Sequence, residues 1–170
     1  DGTYYTTSFD LSNRYQGDLL KIEKLDQNKV YTALYYDKSV EAFYIKRFSF
    51  DVSDNTPLSF ISDSKGSYLV ELSDDKHPQV EVTFGGRQEH REPEKIDAEE
   101  FIAKKGLQAK GKKTSQYDVK EVKFIEPLHR PEDDIEPIES EAENQAGEID
   151  NSDIEEPLDL NIDDDQLTLF

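Results

Sequence analysis

The sequence predicts an all-β fold of antiparallel strands, and three observations predict it. Aromatic and β-branched residues crowd short runs at 3–9, 30–36, 42–50, 67–73 and 79–84, the composition that suits a pleated, half-buried surface. Turn-forming residues separate those runs at Ser12-Asn13, Asp26-Gln27-Asn28, Asp51 to Pro57, Asp63 to Gly66, Asp74-Asp75 and Gly85-Gly86. The third observation is QVEVTF at 79–84, where Val80, Val82 and Phe84 fall on one side and Gln79, Glu81 and Thr83 on the other. Such alternation buries one face and wets the other, as antiparallel sheets do. Short strands at this spacing belong to a sandwich, a barrel or a propeller-like array.

Taken in order, the chain opens DGTYYTTSF, a turn signal at Asp1-Gly2 running straight into strand-like residues. This reads as the second half of a hairpin, so the expectation is a piece of a longer protein. The middle of the chain is strand after strand. Helix is scarce: IDAEEFIAKKG at 96–106 could make one turn from Asp97 with Gly106 as a stop. A strand over Glu100 to Ala103 is the expectation adopted.

Charge divides the chain at Pro131. The formal net charge is -19, yet residues 131–170 hold sixteen acids and no Lys or Arg, leaving 23 acids against 20 bases before them. The body is therefore nearly neutral. Ile135, Ile138, Ile149 and Ile154 stand isolated among carboxylates and prolines, too little apolar surface to offset the entropy of ordering. The expected organisation is a domain at 1–130 and a disordered acidic tail at 131–170. The chain has no cysteine, which excludes disulfides and thiolate metal sites and suits a reducing cytoplasm. No apolar run approaches the ~18 residues of a membrane span, and no membrane partner is expected.

Against this background residues 104–123 are anomalous, with seven lysines facing only Asp118 and Glu121. If 107–113 is extended, Gln108, Lys110 and Lys112 share one face while Leu107 and Ala109 turn inward. Gly106 and Gly111 let a backbone or a phosphate come close. Clustered ammonium groups suit a phosphate backbone, because each contact releases condensed counterions without reading a base. A lysine-rich edge that simply discourages strand-to-strand aggregation has the same composition.

FIAKKGLQAKGKKTSQYDVKEVKFIEPL at 101–128, with FYIKRF and DGTYYTTSFDLS upstream, resembles the end of the A-type subunit of a bacterial type IIA topoisomerase of the Bacteroidetes, gyrase or topoisomerase IV. The likeness covers roughly residues 1–130. It implies a partial β-pinwheel, blades of antiparallel strands arranged in a disc with a basic DNA-binding rim. It also implies that Lys104, Lys105, Lys110, Lys112 and Lys113 lie on or near that rim, with Lys46 and Arg47 on an earlier blade. The glutamine-arginine-rich box of gyrases is missing, since Gly85-Gly86-Arg87-Gln88 has similar letters in the wrong order. That departure favours relaxation and decatenation over wrapping. Catalysis in such enzymes uses a tyrosine and an arginine of an upstream domain, with ATP and Mg2+ on the partner subunit. No cofactor or catalytic residue is expected in this chain. The resemblance further implies duplex DNA and the B-type topoisomerase subunit as partners, a homodimer within a heterotetramer, and a chromosome-associated, cytoplasmic location.

Two other readings stay open. QLTLF at 166–170 resembles the peptide by which replication proteins dock on the sliding clamp, with Leu167, Leu169 and Phe170 as anchors and Gln166 as a polar latch. The alternative is a tail that folds back on the body. The many tyrosines also fit a secreted carbohydrate-binding β-sandwich. His77, His90 and His129 are too scattered for a metal site, and the tyrosines of the strand-like runs are expected to pack. The acidic tail either solubilises the chain or competes with DNA for the lysines.

Overall fold

A computed structural model describes residues 2–8, 10, 13, 15 and 19–130, and the backbone of 166–169. Eleven strands are present among them: β1 (Thr3–Ser8), β2 (Ile22–Lys24), β3 (Tyr31–Asp37), β4 (Ala42–Phe48), β5 (Leu58–Ser59), β6 (Tyr68–Ser73), β7 (Gln79–Phe84), β8 (Glu94–Asp97), β9 (Lys112–Lys113), β10 (Val119–Ile125) and β11 (Gln166–Leu169). They form three antiparallel sheets, in the orders β6-β3-β4-β9, β10-β7-β8 and β2-β11-β1-β5. The expected all-β class is what the chain adopts.

β3 and β4 are the centre of the molecule. They pair from Tyr31↔Phe48 to Asp37↔Ala42, and nearly every residue in both is buried. The strand period of two sends alternate side chains to two different cores. Leu34, Phe43 and Ile45 pack with Val80, Val82, Phe84, Ile96 and Val122 of the second sheet. Tyr31, Ala33 and Phe48 pack with Tyr4, Phe50, Phe60 and Leu107 on the opposite side. A sheet covered on both faces reads as a continuous apolar run, and that is why YTALYYD and AFYIKRF do not alternate in sequence.

QVEVTF does alternate, and Val80, Val82 and Phe84 are buried as expected. Its partner β10 carries a register shift between Val119 and Glu121. One extra residue displaces the apolar period, so VKEVKFI hides its strand character.

The strand expected over Glu100 to Ala103 is not formed. Ala98–Phe101 is a single helical turn (α1), and the Asp97 carboxylate accepts hydrogen bonds from the backbone N–H groups of Glu99 and Glu100. An acidic cap with two acids in the first turn satisfies amide donors that an extended chain would have left to another strand. The expected disorder of residues 131–165 lies outside the described residues. The described part of that tail, Gln166–Leu169, is a strand flanked on both sides.

Candidate nucleic-acid interface

The lysine-rich segment follows the outer edge of β4. The Lys105 N–H donates to Arg47 O at 2.8 Å, Lys112 and Lys113 pair with Ile45 and Tyr44, and the Thr114 N–H donates to Phe43 O at 2.9 Å. Residues 105–114 thus travel back along β4 from Arg47 to Phe43, roughly 13 Å of edge at the usual rise. The segment is not extended throughout, because 107–109 turns. Leu107 drops into the aromatic core, and its carbonyl accepts from Lys46 Nζ.

Gly111 makes this course possible. A Cβ built there would lie 2.3 Å from the Ile45 carbonyl oxygen and 2.9 Å from its carbon, so only hydrogen fits. The close approach expected at this glycine is real, and its partner is the protein's own β4. Gly106 has open space instead. Gly111→Ala is expected to destabilise the fold by about 1–3 kcal/mol through overpacking against backbone that cannot retreat. Urea unfolding checks this, and a variant as stable as the parent would contradict the contact.

The lysines do not share one face. Lys112 lies opposite Ile45 in the register and sits 4.0 Å from the Phe101 ring centroid, donating to Phe101 O at 3.1 Å. Lys110 reaches the other face, 4.8 Å from the Tyr44 ring centroid and 2.8 Å from the Asp37 carboxylate. The common face of Lys110 and Lys112 depended on an extended run, and Lys110 precedes the strand that begins at Lys112. Asp37 itself is buried at 1 % exposure. Burial works to raise its carboxyl, but hydrogen bonds from Lys110 and Ser39 outweigh it and hold the pKa at about 2.

The expected cations therefore sort by surroundings. Lys104, Lys105, Lys112 and Lys113 are exposed, and among the described residues none pairs with a carboxylate. Lys110 is half-exposed but neutralised by Asp37. Arg47 is mostly buried, its guanidinium 2.7 Å from Glu99. His77 and Arg130 also reach Glu99, so this carboxylate serves several cations. Lys46 is 4 % exposed, with its ammonium donating to the carbonyls of Phe60 and Leu107. Lys46 offers nothing to an outside phosphate and leaves the candidate surface; Arg47 is committed to its own carboxylate.

Sequence reasoning missed Asp37, and the signal was present. Asp37 ends a strand covered on both faces, so its carboxylate is buried and needs a cation. At the other end of the chain, Leu167 and Leu169, expected clamp anchors, and Gln166, the expected latch, are strand residues between β1 and β2. Phe170 lies outside the described residues.

A comparison with protein families matches residues 1–126 to the topoisomerase C-terminal domain of Bacteroidota. No curated protein and no solved structure matches the chain. The matched region contains β1 through β10 and the whole lysine-bearing edge, and the chain belongs to the Bacteroidota topoisomerase C-terminal domain family.

Proposed function

We propose that this domain holds a duplex DNA segment beside the catalytic core of a type IIA topoisomerase, as the C-terminal region of its A-type subunit. In this reading the three sheets are blades of a β-pinwheel and the outer edge of β4 is part of its rim. Strand passage, in the sense of relaxation and decatenation, is performed by upstream domains with ATP and Mg2+ on the B-type subunit, in a heterotetramer built on a dimer of A-type subunits.

The observation that carries the proposal is the set Lys104, Lys105, Lys112 and Lys113. They are strung along one sheet edge with no carboxylate of the described residues compensating them. Lys112 and Lys113 leave the edge toward opposite faces, so a phosphate ribbon lying along β9 is within reach of long side chains from both. Such contacts position a duplex without reading its sequence.

A duplex DNA titration over a range of salt concentrations tests this. Alanine at Lys105 or Lys113 should weaken binding alike for all sequences and flatten the log–log salt slope by roughly 1 each. Lys110→Ala should change the slope less, since Asp37 already compensates its charge. Replacing Lys104, Lys105, Lys112 and Lys113 together without changing the salt slope would refute the interface.

A further inference from the structure

The sheet β2-β11-β1-β5 joins opposite ends of the chain, and its two interior strands are the first and the last in sequence. β11 pairs with β1 from Ser8↔Gln166 to Tyr5↔Leu169, and with β2 from Leu167↔Lys24 to Leu169↔Ile22. Among the described residues of this sheet, β2 touches no strand other than β11. Without β11 the sheet would hold two unpaired edges facing each other across one strand width, about twice the ~4.8 Å strand spacing.

Both walls of that gap are fastened to the body by groups that do not involve β11. On β1, Tyr4 is buried against the rings of Phe50 and Phe60. The Thr6 N–H donates to Ser53 Oγ at 2.8 Å, the Ser53 N–H returns a bond to Thr6 Oγ1 at 2.8 Å, and the Asn55 N–H donates to Thr6 O at 2.8 Å. On β2, the Glu23 carboxylate accepts from the Tyr31 hydroxyl and from Lys29 at 2.7 Å, and pairs with Lys21 at 3.2 Å. Lys21 and Lys29 both extend to Asp74, so β2 is tied to β3 and to the chain just after β6. The two sides of the gap are thus each anchored by contacts independent of β11.

We propose that the gap between β1 and β2 is an acceptor site for one extended peptide. This chain's own residues 166–169 occupy it in cis and can be exchanged for a peptide of the same kind. The ligand class is a strand of four or five residues running antiparallel to β1, apolar at its second and fourth positions and preceded by acids, as DDQLTLF is here. Main-chain hydrogen bonds to two edges supply the affinity, and alternate side-chain positions supply the selectivity. Thirty-five residues separate Arg130 from Gln166, up to about 115 Å when stretched, which is ample for the return. The covalent connection gives the chain's own peptide a high effective concentration over any competitor. While β11 is seated, both hydrogen-bonding edges of Gln166–Leu169 are engaged, so another partner for this peptide can meet it only after release.

The absence of cysteine makes the first test direct. Ser8→Cys with Gln166→Cys, introduced in the full chain, places two thiols at one register pair. Oxidation should give an internally cross-linked monomer on non-reducing electrophoresis. A cross-linked dimer, or no cross-link, overturns occupancy in cis.

The second test uses Thr168→Pro, which removes a strand N–H from the middle of β11. Labelled DDQLTLF should bind this chain at least about 10-fold more tightly than the parent. Hydrogen exchange should quicken in Thr3–Ser8 and stay slow in Tyr31–Asp37. Equal binding to both chains, or no binding to a Thr168→Pro chain whose β3 remains protected, refutes the site. If β3 loses protection, the cysteine pair decides: the peptide must bind the reduced protein and not the oxidised one, and any other pattern overturns the proposal.

Discussion

Phe50→Ala should be the most damaging single truncation in the domain, at about 3–5 kcal/mol of stability. Phe50 is fully buried, with ring centroids of Tyr4, Tyr31, Phe48 and Phe60 at 4.4, 4.7, 5.0 and 5.4 Å. Those distances are the range in which tilted and edge-to-face pairs add to simple burial. The surrounding rings come from β1, β3, β4 and the segment after β5, so none can move inward without dragging its strand. The cavity therefore stays open and its full cost is felt. Urea unfolding monitored by tyrosine fluorescence should show the loss as a lower midpoint at unchanged slope. A decrease below about 1 kcal/mol would mean that the aromatic core is not the structural centre. Because Tyr4 anchors β1, the same variant should also quicken amide exchange in Thr3–Ser8 beyond that in Gln79–Phe84.

Between about pH 8 and pH 10 the domain should become more stable as the solution becomes more alkaline, which is unusual for a chain rich in acids. The cause is Lys46. Burial lowers its pKa to about 8, because the ammonium has carbonyl oxygens for partners and no carboxylate within ion-pair distance among the described residues. A folded pKa below the unfolded value near 10.4 means that the unfolded chain binds more protons in that window, so stability rises with pH there. The full cost of burying the charge is present below pH 8. It is relieved as the amine deprotonates, for a total of about 3 kcal/mol at 1.36 kcal/mol per pKa unit. Above pH 10 the trend reverses, since burial raises the hydroxyl pKa of Tyr4, Tyr31 and Tyr35. Their ionisation then favours the unfolded chain. Urea titrations at half-unit pH steps should show the rise in the parent and its loss in Lys46→Met. A flat or falling parent profile between pH 8 and 9.5 would refute the buried charge. Lys46 also links Leu107 to Phe60, so Lys46→Met reports on how firmly the lysine-bearing segment is moored.

Much of this domain is legible in the amino-acid sequence, and the exceptions have physical causes. QVEVTF announces a half-buried strand because its partner sheet covers only one face. The runs at 30–36 and 42–50 announce strands through their residue types, not through alternation, because they are covered on both faces. β10 is obscured by a one-residue bulge. α1 is ambiguous because residues 98–103 are short and apolar enough for either state, and the decision falls to the Asp97 cap.

For the candidate interface, the order of residues already shows where the positive charge is gathered, that Gly111 admits a close backbone, and that the final residues carry alternating apolar positions. Which cations are available depends on the folded arrangement. Linear order records the charge of Lys46, Arg47 and Lys110 but not what faces them across the sheet. Strand parity turned Lys46 inward, Glu99 came to Arg47 from α1, and Asp37 came to Lys110 from the far end of β3. Pairing between residues dozens of positions apart is set by the closing of sheets. That is why an exposed ammonium and a compensated one look alike in the sequence.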